Sequence, residues 1–202
     1  MSTPSSLRVR DRFRRSSWLW ALQASVGFVA LLWALEGLDT LLHHRLDAYG
    51  IQPRDEDGAI GILLAPLLHL GWAHLVGNTV PLLVLGFLLG LTGPAYALGV
   101  TAIVWLSSGL GVWLVAPDHT LTLGASGIVF GWLTCLITRG FVARSFGQAA
   151  LGVLVLLVYG GALWGVLPGQ PGVSWQGHLF GALGGVLAAW LLTERRRRWS
   201  RT

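Results

Sequence analysis

The chain has 202 residues, of which 53% are hydrophobic and only 11% charged, and its mean hydropathy is +0.64. Soluble domains carry about 25% charged residues, so this composition argues against a water-soluble globule and for a membrane protein. The net charge of +5 argues against a nucleic-acid face, because the arginines concentrate in two terminal stretches, RVRDRFRR and ERRRRWSR, each beside an apolar segment.

Six apolar segments follow in chain order. The first runs from Trp18 to about Leu35. It is long and no A-x-A pattern follows it, so it reads as a retained anchor rather than a cleaved signal peptide. A polar, net acidic stretch ending in RDEDG comes next. Then AIGILLAPLLHLGW, interrupted by Pro66, reads as a re-entrant or interfacial piece within the long connection 36–72. Glu36 and Asp39 are read as interfacial, and His43, His44 and His119 as solvated. The second segment spans about 73–91 and the third about 95–116, after the turn signal TGP. The fourth starts at Ser126 and is read to stop near Thr138; the fifth covers about 148–167 and the sixth about 177–192. The single cysteine, Cys135, lies mid-segment and reads as packing.

The sequence thus predicts an all-α, polytopic membrane protein with six transmembrane helices. A basic tail (1–17) precedes a membrane domain (18–192), and a second basic tail (193–202) follows. The basic tails and the connection with Arg139 and Arg144 predict cytoplasmic termini; the uncharged 168–176 connection and the loop before Ser126 fall outside.

Read as 13 residues, the fourth segment reaches only roughly 20 Å, short of a bilayer core about 30 Å thick. On that reading Ser126 begins a helix inside the membrane, preceded by a loop that faces protein or water. A serine hydroxyl needs a base before it attacks. His178 is at matching depth near the start of the sixth segment. Gly127 and Gly131 in the fourth segment, and Gly177, Gly181 and Gly185 in the sixth, allow the close helix approach that a Ser126–His178 contact requires. His74 and Asn78 are four apart, share a helical face, and can both donate to an oxyanion.

Other intramembrane chemistries lack their signatures. H-E-x-x-H is absent, the aspartates lie in loops or at segment ends, and neither an internal repeat nor a set of intramembrane charges marks a transporter.

HLGWAHLVGN, GASG and GHLFGALGG, in this order, resemble the rhomboid family of intramembrane serine proteases, over roughly residues 60–192. The resemblance implies Ser126 as nucleophile and His178 as general base and then acid, with no third triad member. It implies Asn78 and His74 as oxyanion donors beside the Ser126 backbone, and Phe130 as the aromatic set against the histidine. It implies single-span membrane proteins as substrates in a lipid bilayer; no cofactor or metal is expected, since His69, His74 and His178 lack a carboxylate or thiolate partner. His69 is read as orienting the loop. One departure stands out: many members carry Trp-Arg in the first loop, where this chain has Ile60-Gly61. The alternative reading is an inactive rhomboid-like protein that binds transmembrane helices.

Overall fold

The computed structural model describes the backbone of residues 4–199 and the side chains of residues 17–194. Within these residues the chain is helical, with one isolated antiparallel bridge between Ile51 and Thr122. The helices are α1 (Pro4–Leu41), a one-turn α2 (Gly61–Leu64), α3 (Trp72–Gly90), α4 (Pro94–Val115), α5 (Ser126–Ala143), α6 (Phe146–Tyr159) and α7 (Trp175–Trp199). Proline opens α4 at its first position, where the missing N–H costs nothing. At the head of α7 the Gly177 N–H donates to Ser174 Oγ, a serine cap of the kind that starts helices.

Among the described residues five helices are long and apolar enough to cross a membrane: Ser17–Leu41, Trp72–Gly90, Pro94–Val115, Ser126–Ala143 and Phe146–Val166. The sixth segment forms α7, which is not among these five; Gln176 and His178 occupy its first turn. The last of the five is not one regular helix. After Tyr159, α6 tightens into a 3-10 turn over Gly160–Val166.

One sequence expectation changes. The fourth segment does not stop at Thr138. Helix α5 has 18 residues, roughly 27 Å of rise, so its length no longer argues that Ser126 starts far below the bilayer surface. The helix continues because Arg139 does not end it: its guanidinium stacks over the Tyr96 ring at 4.8 Å. Glu36 and Asp39, at the end of α1, are each only 2% exposed.

Helix α5 is the most buried of the five and packs against α3, α4, α6 and α7. Its closest partner is α7, through glycines. A Cβ at Gly127 would stand 3.1 Å from the Gly177 carbonyl oxygen, and one at Gly131 2.8 Å from that of Gly181. In return, Cβ atoms at Gly181 and Gly185 would collide with the carbonyls of Gly127 and Gly131. Backbones this close bring the first residues of the two helices together.

The connection between α1 and α3 folds across the same end of the bundle. Arg54, in a left-handed conformation, donates to the Leu114 and Ala116 carbonyls and pairs with Asp118. The 57–67 stretch is a short apolar helical piece containing Pro66, as its sequence implied. Gly61 stands where the related pattern has Arg, and a Cβ there would lie 2.5 Å from the Gly50 backbone. The loop is too tightly folded on itself for a long side chain at that position.

Candidate active site

Ser126 is the first residue of α5 and His178 the fourth of α7. The glycine-lined contact sets their separation: His178 Nε2 lies 2.8 Å from Ser126 Oγ. The other ring nitrogen, Nδ1, lies 3.0 Å from the Gly165 carbonyl oxygen. A carbonyl only accepts, so Nδ1 carries the proton. In the neutral ring Nε2 is then the acceptor, aimed at the serine hydroxyl. Phe130, one turn along α5, stacks on the imidazole with centroids 4.0 Å apart and planes within 9°. The ring of His178 is thereby fixed on three sides, by a carbonyl, a hydroxyl and an aromatic face.

The pair opens onto a cavity of about 760 Å³, which His74, Asn78, Ser126, Phe130 and His178 all line. The four site residues expected from the sequence therefore meet around one space. Their orientations differ. Asn78 Nδ2 donates one hydrogen to its own helix, at the His74 carbonyl, 3.2 Å away; an amide nitrogen has a second. The His74 ring lies over Gly124, two residues before Ser126, where a Cβ would come within 2.5 Å of Cε1. Gly124 also has φ +120°, which L side chains rarely adopt, so glycine is required there twice over. The Ser126 N–H belongs to the first helical turn, where no intrahelical carbonyl is available to it.

His69 does not line this cavity. It is 1% exposed, its Nε2 accepts from the Ala125 N–H at 3.4 Å, and its ring meets that of His74 edge-on. Burial, and then the neighbouring His74, push its pKa down to about 4. This contact ties His69 to the residue just before Ser126.

Sequence reasoning missed three participants. Gly165 acts through its carbonyl, which no side chain advertises. Gln176, 6% exposed, lines the cavity two residues before His178. Ser108 on α4 donates to the Gly177 carbonyl at 2.9 Å and so braces the start of α7. Polarity within an apolar helix was the available signal for Ser108.

The fold and cavity define a multi-pass membrane protein with a serine and a histidine hydrogen-bonded at one end of a helix bundle. A family model, the Rhomboid domain, matches residues 57–195. This chain belongs to the rhomboid family. An uncharacterized protein of Mycobacterium tuberculosis (strain ATCC 25618 / H37Rv) is 46% identical over 196 residues, covering 92% of this chain and 80% of the relative. An uncharacterized protein of Mycobacterium leprae (strain TN) is 44% identical over 196 residues, covering 92% and 76%. Rhomboid-like protein 11, chloroplastic, of Arabidopsis thaliana is 31% identical over 150 residues, covering 64% and 51%. No solved structure matches the chain.

Proposed function

We propose that this chain is an intramembrane serine endopeptidase that cleaves single-span membrane proteins. The observation that carries the reading is the 2.8 Å Ser126–His178 hydrogen bond facing a cavity. In this mechanism neutral His178 takes the Ser126 proton through Nε2 as Oγ attacks a substrate carbonyl. The oxyanion receives the Ser126 N–H, the free Asn78 amide hydrogen and a His74 ring N–H. His178 then returns its proton to the leaving amine, and water from the cavity hydrolyses the acyl-enzyme with the same histidine as base. The Gly165 carbonyl keeps Nδ1–H engaged throughout, in the position that a carboxylate occupies in a triad.

The working unit is the membrane domain 18–192 in the lipid bilayer, with the basic stretches 1–17 and 193–202 on the cytoplasmic side and the cavity facing outward. The arginine distribution supports this orientation. Because Nε2 must accept, protonating His178 stops the reaction, so activity falls on acidification.

The test is labelling of detergent-purified protein with a fluorescent fluorophosphonate, comparing wild type with Ser126→Ala and His178→Ala. Label on wild type alone supports a serine activated by its histidine. Equal behaviour of all three puts the inactive, helix-binding rhomboid reading first.

A further inference from the structure

The end of α1 carries a second group of side chains that the active site does not use. His43 and His44 both adopt positive φ, at 55° and 61°, and this turns the chain back over the helix end. The turn sets His44 Nδ1 3.3 Å from Asp39 Oδ2 and 3.9 Å from Asp47 Oδ2. One ligand atom from each of Asp39, His44 and Asp47 fits within 4.8 Å of the others.

Glu36 lies one helical turn before Asp39, on the same face of α1. It is 2% exposed, and both its carboxylate oxygens are buried with no hydrogen-bond partner. The charged groups acting on it are Asp39, Asp47 and His44. Asp47 Oδ1 is buried and unpartnered as well. Three carboxylate oxygens at this helix end are therefore buried without a hydrogen-bond partner. Among the described residues no arginine forms a salt bridge to the group, and the His44 imidazole is its one nitrogen partner. Burying several carboxylates against a single imidazole is costly unless something cationic joins them.

We propose that Asp39, His44 and Asp47, with the buried Glu36 one helical turn before Asp39, form a binding site for a divalent transition metal that pins the first loop to the end of α1. Two carboxylates and one imidazole suit zinc or manganese, whose ligand preferences include both oxygen and nitrogen. Calcium or magnesium would leave the histidine unused. No metal motif announces the site, whose residues sit at spacings of five and three across a helix end and a turn. The ion lies at the same end of the bundle as Ser126, at the start of the loop that leads to His69 and His74, so its role is to hold that loop. The site stands independently of the proposed protease activity.

The experiment uses full-length protein without a histidine tag, in detergent, stripped with chelator and then titrated with zinc or manganese. Tryptophan fluorescence follows melting, and elemental analysis counts bound metal. Wild type should bind one ion per chain, with a melting temperature raised on the order of 5 °C at a hundredfold excess over Kd. Asp47→Asn and His44→Ala should lose the shift, while His43→Ala keeps it. Absence of a saturable shift in wild type would overturn the proposal. So would a shift unchanged in Asp47→Asn and His44→Ala, which would mean scattered surface binding. A response to calcium that ignores His44→Ala would replace the assigned donor set. If Glu36→Gln stabilises the metal-free protein and wild type ignores metal, shared protons hold the cluster instead.

Discussion

Gly181 of α7 faces Gly127 of α5 so closely that a single methyl group at position 181 would collide with the Gly127 carbonyl. One turn later Gly185 stands in the same relation to Gly131. The active-site distance rests on these two contacts. Gly181→Ala should therefore separate the helices, lower the melting temperature in detergent and abolish fluorophosphonate labelling. Overpacking of this kind costs about 1–3 kcal/mol. Gly27→Ala is the control, because a Cβ there meets nothing within 4 Å. Equal behaviour of the two variants would show that the glycine contact does not set the geometry.

The Phe130 ring holds His178 by stacking and contributes no proton chemistry. An aromatic contact of this kind is worth about 0.5–1.5 kcal/mol beyond its burial. Phe130→Leu should lower kcat about tenfold with little change in KM, and Phe130→Tyr should keep most of the activity. The check is steady-state cleavage of a reconstituted single-span substrate. A Leu variant as active as wild type would mean that the Gly165 carbonyl alone orients the ring.

Asn78 faces the cavity with one amide hydrogen already committed to the His74 carbonyl. Removing an oxyanion donor costs about 10²–10³ in rate. Asn78→Ala should lose that much kcat while retaining some labelling, since Ser126 and His178 are untouched. A loss confined to KM would assign Asn78 to substrate binding.

His69 makes stability depend on pH. Its folded pKa lies near 4, below the ordinary histidine value of 6.5. The unfolded chain therefore takes up a proton first as pH falls. The contribution from neutral His69 is complete above about 6.5 and is lost progressively toward pH 4. The loss is on the order of 3 kcal/mol at the acid end. Gln at this position keeps an acceptor for the Ala125 N–H but has no proton to gain. Melting curves from pH 7 to 4 should fall more steeply for wild type than for His69→Gln. Parallel curves would assign the acid sensitivity to other groups.

The site was legible where it depended on helical periodicity. The four-residue step from His74 to Asn78 and the glycine rows beside Ser126 and His178 are spacings, and spacings survive in a sequence. What escaped depends on tertiary contact. The end of α5 was misplaced because Arg139 looks like the edge of a span; the Tyr96 ring that accommodates it comes from another helix. The polarity of Glu36 and Asp39 is visible in the sequence, whereas their burial against the protein is not.

The hydrogen bond from His178 to Gly165 ends on the main chain. In a serine triad the corresponding partner is a side chain, and one nucleotide change can delete it. Here every residue at position 165 would still present a carbonyl. Position 165 is nevertheless restricted, because a Cβ would stand 2.9 Å from Phe130 Cζ and 3.0 Å from His178 Nδ1. The orienting group is thus mutationally silent while its neighbourhood is not. Inactivating substitutions at 165 would act by crowding the imidazole, and a survey that scores only lost polar side chains would overlook this partner altogether.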